Sequence, residues 1–232
     1  MLVILQARMS SKRLPGKVMK LLNGTPMIQR QINRIQKSKK ISKVIVATSI
    51  EKEDFVISDL CQNIGIECYR GSLTNVFSRF FDLTTSNNFN SIVRLTADCP
   101  FTMPLLIDEM FSEFNESNFD YYSNSIIRTY PRGLDIEFFT AQSLLKLNQF
   151  DLSEEELEHV TIGIYRRPEL FKLGNHAQSL DLSQHRWTVD TPEDFKFTQE
   201  VYNNFEGKEE EFTQEDILKF LKENPSTFNY DF

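Results

Sequence analysis

Leu2-Val3-Ile4-Leu5-Gln6-Ala7-Arg8-Met9-Ser10-Ser11-Lys12-Arg13-Leu14-Pro15-Gly16-Lys17 decides the fold. Leu2 to Leu5 is a short, unbroken apolar run rich in β-formers, which reads as a buried parallel strand. Directly after it come four cations, Arg8, Lys12, Arg13 and Lys17, with no acid among them, and a Pro15-Gly16 break. Thr25-Pro26 then opens a helix, with Thr as N-cap and Pro in the first turn. The order strand, basic loop, helix puts the cations at the carboxyl end of a parallel strand, where open α/β sheets bind ligands. Arg and Lys gathered there suit a phosphate-rich anion.

Charge is segregated along the chain. Eleven Lys and Arg and no Asp or Glu precede Glu51, whereas the remainder holds fifteen cations against thirty-three acids, for a net charge of −7. A basic pole on an acidic protein favours a compact anion such as a nucleoside triphosphate and disfavours a nucleic-acid duplex. No apolar run approaches the roughly 18–20 residues of a membrane span, and Leu2–Leu5 is too short for a signal-peptide core. Cys61, Cys68 and Cys99 show no metal-ligand spacing and read as reduced thiols of a cytoplasmic protein.

Outward from the first strand, strands and helices alternate. Helices are expected near 26–39, 53–63, 75–87 and 105–114, with strands at 44–48, 66–69 and 91–96. This alternation predicts an α/β fold, a mostly parallel Rossmann-like sheet with helices on both faces. The fourth strand runs into Thr96-Ala97-Asp98-Cys99-Pro100, so an acid stands at the ligand edge. Arg186-Trp187-Thr188-Val189-Asp190-Thr191-Pro192-Glu193-Asp194 repeats that grammar: strand, Asp, capped helix. If the two strand ends lie close together, Asp98 and Asp190 converge on one cation facing the basic loop. Mg2+, a hard ion held by one or two carboxylates plus substrate phosphates, suits such a pair.

The middle of the chain breaks the rhythm. Asp120–Asn124 and Leu134–Phe138 have strand composition, and helices are expected near 141–149 and 154–166. Residues 120–166 read as an insertion within a single domain spanning 1–232, serving as substrate lid, dimerisation arm or both. A terminal helix is expected at 214–223.

Taken together, these stretches resemble the sugar-acid cytidylyltransferases, above all the SpsF-like spore-coat polysaccharide group, and more distantly the CMP-acylneuraminate and 3-deoxy-manno-octulosonate cytidylyltransferases. Besides residues 2–17, the resemblance rests on Val46–Thr48, Arg70–Ser72, Arg94–Pro100, Tyr122–Asn124, Gly133–Glu137, Glu158–Thr161 and Arg186–Asp194, in the family's order. Asn75 departs from it, because SpsF-like sequences often carry Asp there.

The resemblance implies a nucleotidyltransferase domain related to the GT-A fold, CTP and Mg2+, pyrophosphate release and a homodimer. It implies that Arg8, Lys17, Asp98 and Asp190 are catalytic and that Asp98 and Asp190 hold the metal. Gln6, Ala7, Arg8, Arg13, Lys17, Arg70 and Arg79 would bind the nucleotide, and Asn124, Glu137 and His159 the acceptor. The expected reaction moves CMP from CTP to an octulosonate- or nonulosonate-type sugar acid for a cell-surface glycan. Another nucleotide-dependent transferase of the same fold, including a glycosyltransferase, and a non-catalytic nucleotide-binding protein are the alternatives. Thr96-Ala97-Asp98 offers one acid where glycosyltransferases of this fold usually carry Asp-x-Asp, and no P-loop pattern is present.

Overall fold

The structure is a computed structural model that describes residues 1–225; residues 226–232 lie outside it. The strands are β1 (Leu2–Gln6), β2 (Leu21–Leu22), β3 (Thr25–Pro26), β4 (Lys43–Ser49), β5 (Glu67–Gly71), β6 (Ser91–Thr96), β7 (Tyr121–Ser123), β8 (Glu137–Thr140) and β9 (Leu173–Asn175). The α-helices are α1 (Met27–Ile35), α2 (Phe55–Asn63), α3 (Val76–Ser86), α4 (Pro104–Ser117), α5 (Ala141–Leu147), α6 (Glu154–His159), α7 (Ile162–Tyr165), α8 (Pro192–Asn204) and α9 (Gln214–Glu223).

Leu2, Val3, Ile4 and Leu5 have no exposed surface. Such a strand must be covered on both faces and both edges, and β1 pairs in parallel with β4 on one side and β6 on the other. The seven-stranded sheet has the order β5-β4-β1-β6-β8-β7-β9. Its left half is parallel, while β8 runs antiparallel to both β6 and β7. Residues 120–166 therefore contribute β7 and β8 to the main sheet. Side-chain alternation splits the core in two. Val3 and Leu5 pack with α1, α2, α4, α8 and α9, whereas Leu2 and Ile4 pack with α3, α5 and α7. Among the described residues no helix is long and apolar enough to cross a membrane.

Three local expectations are corrected. Thr25 and Pro26 form a two-residue hairpin strand against β2, so α1 starts at Met27 and ends at Ile35. The helix expected over 154–166 is two short helices, broken at Val160, whose φ of 55° no α-helix accommodates. Residues 186–189 form no strand. They are held by one bridge from Arg186 to Arg132 and by the Val189 N–H on the Asp98 carbonyl at 2.8 Å.

Candidate active site

The Arg8–Lys17 loop leaves β1 at the carboxyl edge of the sheet. Gly16, at φ 69°, allows the reversal that the Met9 carbonyl closes by accepting the Gly16 N–H at 3.0 Å. The reversal sends Lys17 back inward, where its side chain is only 10% exposed. Its ammonium donates to Asp98 Oδ2 at 3.1 Å, Asp190 Oδ1 at 2.9 Å and the Val189 carbonyl at 2.7 Å. Arg13 reaches the other Asp190 oxygen at 2.9 Å. Burial opposes the charge on Asp98, but Lys17 and a hydrogen bond from Thr96 outweigh it and hold the carboxyl below its ordinary range.

Asp98 sits just beyond β6, and Asp190 just before α8. Thr191 and Asp194 form a capping box around Pro192 at the first turn of α8. Asp194 also accepts the Asp190 N–H at 2.9 Å and pairs with Arg186. Cap and bridge together fix where Asp190 points. The two carboxylates thus meet at one cation-sized position. They are hard oxygen donors, and among the described residues no cluster of three or more His, Cys, Asp or Glu side chains stands ready to enclose a metal. A pair of carboxylates completed by phosphates and water is what Mg2+ accepts, so these residues fit that ion.

Around this point opens a cleft of about 1200 Å3. That lies just above the roughly 300–1,000 Å3 usual for one small ligand. Gln6, Ala7, Arg8, Arg13, Lys17, Asp98, His159 and Asp190 all line it. Leu73, Thr74 and Asn75 form the wall opposite the basic loop. The Asn75 side chain accepts from the Ser78 N–H and caps α3, which is the local role its helix-start position suggests. Arg8 spans the mouth to Glu158 on α6 at 3.5 Å, both side chains being nearly half exposed.

Four residues expected at the site are not part of its wall. Arg70 lies over the Phe55 ring and donates to the Ser49 and Glu51 carbonyls. Arg79 is buried behind the wall and donates to the Ser72 and Leu73 carbonyls at 2.6 and 3.1 Å, so it shapes the 73–75 segment without facing the cleft. Burial pushes its guanidinium down to about 10. Asn124 is buried and cross-links the Leu134 carbonyl and the Ile136 N–H. Glu137 is drawn under the floor, bound to Arg94, Tyr121 and Thr161.

Three contributors escaped the sequence reading. Arg94 lines the cleft and shares a face of β6 with Thr96; a cation in the middle of a largely buried strand was its signal. Glu158 stands in the Glu158–Thr161 stretch of the resemblance, which gave it no role of its own. Asp54 is buried, and its carboxylate accepts the Met9 N–H at 2.6 Å and the Ser49 N–H at 3.2 Å, tying the basic loop to the end of β4.

Known proteins resemble this chain over nearly its whole length. A family profile described as Cytidylyltransferase matches residues 2–224. An uncharacterized protein of Methanocaldococcus jannaschii, MJ1063, is 37% identical over 228 residues, covering 97% of this chain and 92% of its own. The spore coat polysaccharide biosynthesis protein SpsF of Bacillus subtilis is 29% identical, covering 97% and 95%. A 3-deoxy-manno-octulosonate cytidylyltransferase of Geobacter metallireducens is 30% identical, covering 78% and 81%. Among solved structures, a cytidylyltransferase from Leptospira borgpetersenii superposes with a TM-score of 0.92 at 31% identity, covering 99% of this chain and 97% of that one.

Proposed function

This chain belongs to the cytidylyltransferase family of CTP-dependent nucleotidyltransferases, and from that premise we propose that it transfers CMP from CTP to a sugar acid, with release of pyrophosphate. The observation that carries the reading is Lys17 held between Asp98 and Asp190 under a loop of three further cations. An acceptor oxygen attacks the α-phosphorus in line with the departing pyrophosphate, and charge grows on the non-bridging and leaving oxygens. Arg8, Arg13 and Lys17 supply fixed positive charge to those oxygens in a cleft where it needs no reorganisation. Asp98 and Asp190 would hold Mg2+, which when bound neutralises phosphate charge. Asp190 also pairs with Arg13 at the edge of the cleft.

An octulosonate or nonulosonate acceptor for a cell-surface glycan is the reading that the octulosonate and spore-coat relatives support. A homodimer is supported by Ile126 and Ile127, which stand 43% and 68% exposed on the connector between β7 and β8. Three free cysteines support a reducing, cytoplasmic setting.

The test is pyrophosphate release with CTP, UTP, ATP or GTP and Mg2+ against sugar acids and neutral polyols. Release with CTP and a sugar acid, giving a CMP-linked product, is expected. Release with another nucleotide overturns the base assignment, and a product carrying sugar instead of CMP overturns the reaction type. Asp98→Ala is expected to depress turnover more than CTP binding; near-normal turnover at saturating Mg2+ would sink the metal assignment.

A further inference from the structure

Five Lys or Arg side chains line the cleft: Arg8, Lys12, Arg13, Lys17 and Arg94. The first four stand on the loop that meets the triphosphate. Arg94 alone comes from the sheet. It lies opposite Glu137 in the antiparallel β6–β8 pair, and on its other side it pairs with Ile4 of β1, with Gln6 two residues further along that strand. Its Nε and Nη2 donate to Gln6 Oε1 at 3.3 and 3.1 Å, and its Nη1 donates to Glu137. A guanidinium has five N–H groups. Three are therefore used, and one is left on each Nη atom of a residue that forms the cleft wall.

Glu137 is not available to a substrate. One of its oxygens takes the Tyr121 hydroxyl at 2.7 Å and the Thr161 hydroxyl, the other takes Arg94, and the side chain is 12% exposed. Its work is to aim Arg94. Burial opposes the charge on that guanidinium, and Glu137 more than offsets the burial, so Arg94 stays above its ordinary range.

The rest of the wall is hostile to a second anion. Asp98, Glu154, Glu158 and Asp190 all face the cleft, and the triphosphate adds more negative charge once it occupies the loop cations. An acidic acceptor therefore needs a fixed cation of its own, and a planar fork with two free N–H groups matches a carboxylate. We propose that Arg94, aimed by Gln6 and Glu137, is the specificity residue that binds the acceptor's carboxylate. The proposal rests on the sugar-acid reading above and adds the group that enforces it.

The experiment compares 3-deoxy-manno-octulosonate and a nine-carbon nonulosonate, each beside its C1 carboxamide, together with neutral polyols, by pyrophosphate release with CTP. Wild type is expected to prefer acid over carboxamide by about a hundredfold in kcat/KM. Arg94→Gln alone would leave Glu137 buried and unpaired, so the variant to use is Arg94→Gln with Glu137→Gln, its folding checked by the rise in melting temperature that CTP causes. In it the preference should collapse to less than about threefold while the KM for CTP stays within about twofold, a split a merely structural role would not produce. Glu137→Gln alone keeps the cation and should keep at least about tenfold of the preference. Persistence of the full preference in the double variant overturns the role of Arg94 and leaves the sugar-acid reading standing. A rise in KM for CTP, with acid preference intact, assigns Arg94 to the nucleotide and also overturns it. Turnover of neutral polyols but no acid by wild type removes the sugar-acid reading, and the proposal with it, while leaving nucleotidyl transfer. No turnover with any probe removes both.

Discussion

Lys17→Met is the most searching single substitution, because Lys17 stands in the position assigned to the cation. Its ammonium lies 3.1 Å from Asp98 and 2.9 Å from Asp190. At an effective dielectric near 20, each pair attracts by about 5 kcal/mol before solvent screening. The two carboxylates are 29% and 21% exposed, so a net of about 1–2 kcal/mol per pair is the reasonable discount. A divalent ion entering the nucleotide-free protein must displace that ammonium. Removing the ammonium should therefore tighten Mg2+ binding in the absence of CTP by at least about tenfold, which is about 1.4 kcal/mol. The methionine keeps the length of the stem and fills the same space. Turnover moves the opposite way: loss of one fixed charge on the developing oxyanions costs about a hundred- to thousandfold in kcat. Calorimetric titration of Mg2+ without nucleotide reads the first effect, and pyrophosphate release at saturating CTP reads the second. Unchanged or weaker Mg2+ binding would show that ammonium and metal do not share a place. Turnover within tenfold of wild type would remove Lys17 from the chemistry.

Asp54→Ala removes the acceptor of the Met9 N–H at 2.6 Å and should lower stability by about 2–4 kcal/mol, read by urea unfolding. It should raise the KM for CTP about tenfold with a smaller change in kcat, since the loop is displaced and not discharged. Gly133→Ala drives a methyl to 2.7 Å from the Trp187 carbonyl carbon and 2.8 Å from the Thr188 nitrogen, at a φ of 108°. Because that segment carries Asp190, kcat should fall by more than about tenfold even where the protein still folds, which melting and turnover measured together will show. Glu156 completes the capping box of α6 and pairs with Arg167, which, with the Ser153 N–H, holds its carboxyl below the ordinary 4.5 against the opposing effect of burial. The folded state thus binds its proton less readily than the unfolded chain, and the stabilisation is present above pH 4.5 and lost as pH falls through the depressed value. Glu156→Gln should cost about 1–2 kcal/mol at pH 7. The gap in melting temperature from wild type should close in the acid range, and a gap constant with pH would refute the charged role.

The parts of the site legible in the sequence were those that repeat a grammar. Asp98 and Asp190 each stand just before or within a turn that opens a helix, and the Pro15-Gly16 break shows that the basic loop must reverse. The structure joins them through Lys17, although only one of the two acids follows a strand. For Asp190 the tether is the Val189 N–H on the Asp98 carbonyl, a long-range contact no local pattern announces.

Arginines were the weak point, because charge in a sequence does not say whether it faces a ligand or the chain's own carbonyls. The acid-free N-terminal segment looked like a single basic pole. Yet Arg34 is fully buried and donates to the Thr102, Glu209 and Phe212 carbonyls, and Arg30 pairs with Glu209 and Glu210, so part of that charge ties α1 to the acidic end of the chain. Arg70 and Arg79 serve carbonyls in the same way. Arg94 and Glu137 invert the error: the acid expected at the substrate lies beneath the floor, and the cation beside it reaches the cleft. Antiparallel pairing of β6 with β8 makes them partners, and a reading that expects a run of parallel strands cannot see that pair. Val160 belongs to the same lesson. A β-branched residue at φ 55° breaks the single helix expected over 154–166. The break ends α6 at His159, which lines the cleft, and lets the Thr161 hydroxyl reach Glu137. This departure from a local rule thus reaches Glu137, the carboxylate paired with Arg94.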